Sequence, residues 1–364
     1  MEPLNISNLL TLSISTDGIP ICKSTGLGMW PILMKVDQVR AAGPYLCALF
    51  SGETKPSSIS EFMKPFLDEL TNLESVGIEF GGVHYSVRVS SVIADAPARS
   101  FLKAIKGHTG YHSCERCIDD GEWCSNRVVL STTSASKRTD GAFRNMIDFD
   151  HHTNVSPLNV LRIDMVSQFV LDYMHLVCLG VTKKLLLSWL AGPLGVRLPS
   201  RSVKKISEYL FNCKKFFPND FSRKPRSLKD VHRFKATEFR QFLLYTGVTA
   251  LHGILDEERY KHFLLFHCGL KILLTDKASV KEWNYLARLL LEKFVGLIPK
   301  LYGNQFLVYN VHNLLHLADD GTNFGNLENV SAFPFENFMQ ILKRMIRGQR
   351  LQLEQVVKRV KEQV

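Results

Sequence analysis

The apolar residues of this chain repeat at every second position in one stretch and at every third or fourth in the next, and the order of those switches limits the folds open to it. From Leu9 to Ile21, LLTLSISTDGIPI alternates around Ser13, Ser15 and Asp17 and turns at Gly18, the pattern of a strand that ends in a carboxylate. MWPILMKV at 29–36 and PYLCALFSG at 44–52 are two further strand-like runs, and three in succession predict an antiparallel meander. SISEFMKPFLDELTNLES then takes helical spacing through Phe62, Phe66, Leu67, Leu70 and Leu73, with Ser58 or Ser60 as cap and Pro65 expected in the first turn. The period returns to two after a Gly81-Gly82 turn, in VRVSSVIAD, which ends in a second carboxylate, Asp95.

Beyond about 111 the composition becomes polar and loop-like, with GYHSCERCIDDGEWCSNR, STTSASKRTDG and a His pair at 151 and 152. From 158 to 300 the spacing is helical almost throughout, and two more helical runs follow, FLVYNVHNLLHLADD and PFENFMQILKRMIRGQR. The expected division is 1–110, a first mixed α/β part; 111–157, a loop-rich segment; 158–300, an all-α block; and 301–364, the return to the first part.

The composition narrows the partners. With 45 Lys and Arg against 35 Asp and Glu the formal charge is +10, which favours an anionic partner. The longest apolar stretches, such as LLLSWLAGPLGV, fall short of a membrane span, and MEPLNISNLL has no basic segment ahead of an apolar one, so neither a span nor a secretory leader is expected. Of the eight cysteines, Cys22, Cys47, Cys178, Cys213 and Cys268 are scattered through the chain, whereas Cys114 and Cys117 have the spacing of half a zinc site. His108, His112, Cys124, His151 and His152 are the candidates to complete it, with His151 and His152 foremost.

Eight strings, STDGIPI, WPIL, ADAPARSFL, HTGYHSCERC, LDYMHLVCLG, RFKATEFRQFLLYTG, YNVHNLLHL and AFPFENFMQILKR, occur in one order over nearly the whole chain. That set resembles the catalytic region of CACTA-like (En/Spm-related) DDE cut-and-paste transposases of animal genomes. The resemblance implies an α/β, ribonuclease H-like mixed sheet with a large all-α insertion between the second catalytic acid and the catalytic glutamate. It also implies three metal-binding acids, matching Asp17 in STDG, Asp95 in ADAP and Glu336 in FPFEN, and a Cys-or-Asp-x-x-His element after the second acid, matching Asp172 and His175 in LDYMHL. Glu328, Asp319 and Asp320 are the competitors for the third acid.

The implied reaction is cleavage and joining of DNA phosphodiesters. Two Mg²⁺ or Mn²⁺ ions would activate the attacking oxygen and stabilise the leaving one, with Asp17 bridging both, Asp95 holding one and Glu336 the other. Water is the expected first nucleophile and a DNA 3′-hydroxyl the second. Taken singly, Asp17 before Gly18 is also a common turn residue, and Glu336 a helix N-terminal acid. Asp172 and His175 share a helix face, so the carboxylate can orient the imidazole. His312 and His316 share a face too, but Asn313 replaces the glutamate of a metalloprotease helix, so these histidines are expected only to pack.

The densest basic run carries Arg223, Lys224, Arg226, Lys229, Arg233, Lys235 and Arg240, with Phe234 among them, and is expected to follow a phosphate backbone while the aromatic stacks on a base. Lys343, Arg344, Arg347 and Arg350 form a second patch after Glu336. DNA is thus the expected partner, with possible self-association, no small-molecule substrate, and residence in the nucleus. Such transposases find their ends with an N-terminal DNA-binding segment, for which sixteen residues ahead of Asp17 leave no room. The competing expectation is therefore a domesticated, catalytically silent DNA- or protein-binding module; a ribonuclease H-like nuclease that does not transpose shares the same acids.

Overall fold

The computed structural model describes residues 8–21, 26–39, 43–348 and 350–362. The leader reading of the first residues and Cys22 lie outside them. The strands are β1 (Leu9–Thr16), β2 (Ile19–Pro20), β3 (Gly28–Val36), β4 (Tyr45–Gly52), β5 (Ile78–Phe80), β6 (Val83–Ala94), β7 (Glu122–Cys124), β8 (Arg127–Val129) and β9 (Phe169–Leu171). The helices are α1 (Ile59–Val76), α2 (Ala96–Lys103), α3 (Asp140–Arg144), α4 (Lys183–Ala191), α5 (Ser200–Cys213), α6 (Ala236–Gln241), α7 (Gly247–Leu251), α8 (Glu257–Leu273), α9 (Lys281–Tyr302), α10 (Tyr309–His312), α11 (Leu317–Phe324), α12 (Phe333–Met345) and α13 (Gln352–Lys361). The chain is an α/β protein whose mixed sheet contains a parallel pair and is followed by a large helical region. Two compact units divide it: residues 1–107, 139–170 and 330–364 make the first, and 108–138 and 171–329 the second.

In the first unit the sheet runs β2-β3-β1-β6-β5, with β4 on β3 and β9 on β6. β1 is antiparallel to β3 (Ile14 opposite Met34) and parallel to β6 (Ile14 opposite Val92). Because the parallel pair runs the same way, both strands end at the same edge, and Asp17 and Asp95 are the residues that follow them. Alternation sends Leu12 and Ile14 to one face, where they meet Ile32, Val89 and Val92 beneath Met63, Phe66, Leu67 and Leu70 of α1. Each such side chain stabilises the fold by about 1.5–3 kcal/mol on burial. The other face of β1 is hydroxyl-rich: Thr11, Ser13 and Ser90 donate to the Asp37 carboxylate at 2.9, 2.6 and 2.6 Å, and the register shift after Leu12 sits beside them.

Pro65 lies in the second turn of α1, not the first, because the helix starts at Ile59 behind the Ser58 cap. Its missing N–H would have met the carbonyl of Glu61; both residues are exposed, so water can replace the bond.

In the second unit, α8 and α9 pack Phe263, Phe266 and Leu270 against Leu291, Phe294 and Ile298, all buried. A Cβ at Gly269 would lie 3.0 Å from Leu291 Cγ, so glycine sets how closely the two helices approach. A π-helix, Met174–Thr182, leads directly into α4. Together they make one helix, Met174–Ala191, long and apolar enough by length and composition to cross a membrane, contrary to expectation; half of it is buried. That apolarity is used in packing, since Leu176, Val177, Val181, Leu185, Leu186 and Trp189 are all in the core.

Candidate functional site

Asp17 leaves β1 where the strand must turn, and its Oδ1 accepts the N–H of Gly18 at 2.6 Å. Glu336 stands in the first turn of α12, where the helix dipole favours an acid. Although these residues come from opposite ends of the sequence, their carboxylate oxygens lie within 4.8 Å of one another, and both are partly open to solvent. Two unit charges at that range repel by about 3 kcal/mol at an effective dielectric near 20, so the pair is an attractive seat for a cation. Lys343, two turns beyond Glu336 on the same face of α12, donates from Nζ to the carbonyl of Pro20 at 2.7 Å and so ties the helix to the chain just past Asp17.

Asp95 follows the adjacent strand but does not join that close group. It caps α2, with Oδ1 accepting from the backbone N–H of Ala98 at 2.7 Å. The three competitors for the third acid are all engaged in ion pairs: Glu328 with Arg240, Asp319 with Lys137 and Arg288, and Asp320 with Arg116.

In the second unit Asp172 is fully buried at the mouth of the π-helix. Its Oδ2 accepts from the His175 backbone N–H at 3.0 Å and from Nδ1–H at 2.8 Å. That arrangement puts a ring proton on Nδ1 and fixes the orientation of the ring, on a side chain 23% exposed. The neighbouring Tyr173 is clamped as well: its hydroxyl donates to Glu328 at 2.7 Å and accepts from Arg240 Nε at 3.1 Å.

The same unit holds a buried Cys₂His₂ cluster that can bind a metal such as zinc: Cys114, Cys117, His312 and His316. Cys114 Sγ and Cys117 Sγ are 3.6 Å apart, Cys117 Sγ and His312 Nε2 3.3 Å, Cys114 Sγ and His316 Nε2 3.6 Å, and the two Nε2 atoms 3.4 Å. Around a tetrahedral ion with Zn–S near 2.3 Å and Zn–N near 2.0–2.1 Å, ligand atoms stand about 3.3–3.8 Å apart, so these spacings fit. His312 Nδ1–H donates to the carbonyl of Ser131 at 2.8 Å, which directs its Nε2 lone pair to the cluster. Burial alone would push the Cys114 thiol up, but hydrogen bonds from Cys117 and from the N–H groups of Arg116 and Cys117 outweigh it and hold Cys114 below its usual value.

This corrects the sequence-based ligand set. His151 and His152 are not ligands of the cysteine pair; they pack on Phe143, with ring centroids 6.4 and 4.6 Å away, in the core of the first unit. The residues placed with the cysteines are His312 and His316, which the sequence pattern leaves to packing alone. Their i, i+4 spacing is visible in the sequence, but Cys117 stands 195 positions before His312.

The basic run divides. Arg223, Lys224, Lys229, Arg233 and Lys235 are exposed, while Arg226 and Arg240 turn inward to Glu238 and Glu328. Phe234 is buried beneath the Arg226 guanidinium, 5.3 Å from its ring, and does not offer a face to a base. Arg344, Arg347 and Arg350, with Lys343, line an exposed stretch after Glu336. Compared with known proteins, the chain matches no protein-family model and no curated protein.

Proposed function

We propose that this chain is the catalytic region of a transposase-derived enzyme of ribonuclease H-like fold, resembling CACTA-like DDE transposases, that cleaves and joins DNA phosphodiesters in the nucleus. The observation that carries the reading is the meeting of Asp17 and Glu336 at the edge where the parallel strands β1 and β6 end. The strand order β4-β3-β1-β6-β9 with a parallel β1/β6 pair is the arrangement such a fold requires, and it supports the reading.

The Asp17–Glu336 carboxylate pair suits hard divalent cations: two oxygen donors close enough to share an ion and partly open to solvent. When bound, Mg²⁺ or Mn²⁺ supplies the positive charge that activates an attacking oxygen and stabilises a leaving one at phosphorus. Asp17 and Glu336 hold that charge at the sheet edge. Asp95 contributes through the oxygen that does not cap α2. Asp172 fixes the His175 ring so that Nε2 can accept a hydrogen bond from water or a DNA hydroxyl, and the exposed Arg and Lys residues bind phosphates without reading sequence. The Cys₂His₂ cluster would hold zinc in a structural role, since two thiolates and two imidazoles are a complete protein ligand set for that ion.

Purified protein should nick supercoiled plasmid only with Mg²⁺ or Mn²⁺, and Asp17→Asn should abolish nicking while leaving DNA affinity within about twofold. Nicking that survives in Asp17→Asn would remove the acid pair from the reaction. A catalytically silent DNA- or protein-binding module is the second reading, favoured by the capping bond that occupies Asp95; DNA binding with no metal-dependent nicking would select it.

A further inference from the structure

The CxxC pair encloses two residues whose side chains do not face solvent. Glu115 is buried and accepts the hydroxyl hydrogen of Tyr309, the first residue of the helix that carries His312, at 2.6 Å. Arg116, 5% exposed, donates from Nη2 to Asp320 Oδ1 at 2.7 Å, and Asp320 is fully buried. Asp320 lies one helical turn past His316. Each end of this ion pair therefore leaves the backbone within four residues of a cluster ligand.

The other oxygen of Asp320 is engaged as well. Oδ2 accepts the backbone N–H of Leu171 at 2.8 Å, and Leu171 is the residue immediately before Asp172. From there Asp172 holds both the N–H and the ring of His175. The chain of interactions thus runs without a gap from Cys114 and Cys117 through Arg116, Asp320 and Leu171 to His175, each link a hydrogen bond or a covalent neighbour.

A buried carboxylate bonded on both oxygens has little freedom, because each bond lost weakens the compensation of a charge or a donor held away from solvent. We infer that Asp320 is a positioning residue that carries the metal occupancy of the Cys₂His₂ cluster to the Asp172–His175 pair. With the four ligands drawn onto an ion, Arg116 and the start of α11 are held together and the Leu171 N–H is fixed. Without it, two thiols and two imidazoles have no common centre, the ion pair loosens, and the backbone at 171–175 gains freedom. The role given to His175 rests on the proposed DNA chemistry, but the coupling itself can be read without any substrate.

The test uses the full chain loaded with Zn²⁺, the same chain stripped by a chelator, and a double variant, Arg116→Met with Asp320→Leu, which removes the buried pair without leaving one charge alone. Amide exchange at Leu171 and the nitrogen-15 signals of the His175 ring are followed together. Stripping zinc should raise exchange at Leu171 at least about 10-fold and move His175 from a single Nδ1–H tautomer to a mixture. The double variant should show the same two changes while still binding one zinc per chain. Unchanged signals in the stripped wild type, followed at a temperature where its far-UV circular dichroism remains that of the loaded chain, overturn the inference; so does a zinc-bound double variant with wild-type signals. Absence of nicking with these changes intact would instead count against the DNA reading alone.

Discussion

Lys343 hands a hydrogen bond from its ammonium group to the carbonyl of Pro20 at 2.7 Å, joining the helix that carries Glu336 to the segment that follows Asp17. The bond is exposed and contributes about 1 kcal/mol or less to stability, but its effect is on alignment. Small displacements of a catalytic group can cost far more in rate than in folding. Lys343→Met should therefore lower the turnover of metal-dependent nicking by about 10-fold at saturating DNA, with the melting temperature almost unchanged. A loss confined to DNA affinity would assign Lys343 to phosphate binding instead.

Removing a cluster ligand tests the metal assignment. Cys117→Ala or His316→Ala should reduce zinc from one per chain to none by elemental analysis, and the melting temperature should fall on the order of 10 °C, since a closed Cys₂His₂ site contributes several kcal/mol. His151→Ala should leave zinc content unchanged, because its ring packs on Phe143.

His262 supplies a pH signature for the helical unit. It stacks on Phe294 with centroids 4.1 Å apart, its Nε2–H donates to the Phe294 carbonyl at 2.8 Å, and burial pushes its pKa down to about 4. The unfolded chain takes up a proton near the ordinary value of about 6.5, whereas the folded one resists until about 4. The unfolded state therefore gains protons first, and stability falls as pH drops from about 6.5 to about 4, by about 3 kcal/mol at most. Urea midpoints of wild type across that window, against His262→Gln, should diverge from parallel by this amount.

The divided basic run gives two outcomes from similar substitutions. Neutralising Arg233 and Lys235, both exposed, should reduce the slope of log K against log salt by about one for each phosphate left without its cation, with folding intact. Arg226→Ala should act mainly on stability, because it strips Glu238, a buried carboxylate, of its partner at 2.6 Å and uncovers Phe234. Equal effects of both on salt dependence would contradict the division.

The first unit is the part the sequence announces most clearly. Alternation in LLTLSISTDGIPI and VRVSSVIAD, and the helical spacing of Phe66, Leu67 and Leu70, are local signals, and β1, β6 and α1 form where they point. Asp17 and Asp95 are legible as strand-end acids for the same reason. What local pattern cannot carry is pairing across the chain. His312 and His316, which meet Cys114 and Cys117, are recognisable as a helical pair, but nothing near them in sequence indicates a thiol partner. The ion pair between Arg116 and Asp320 is equally hidden, since a charged residue inside a CxxC and another in an acidic doublet look like surface. Phe234 misleads for the opposite reason: lying among cations it reads as a stacking platform, yet the Arg226–Glu238 pair closes over it.

The order of the metal ligands along the chain has a consequence during synthesis. Cys117 and His312 are separated by 195 positions, so the thiols leave the ribosome long before either imidazole. At about 5–20 residues per second the wait is on the order of 10–40 s. Throughout that interval the growing polypeptide carries two closely spaced sulfurs without the two imidazoles that join them in the folded protein, open to oxidants, to rival soft metals and to the other histidines already made, so the yield of correctly assembled protein depends on the redox state and zinc supply around the nascent chain.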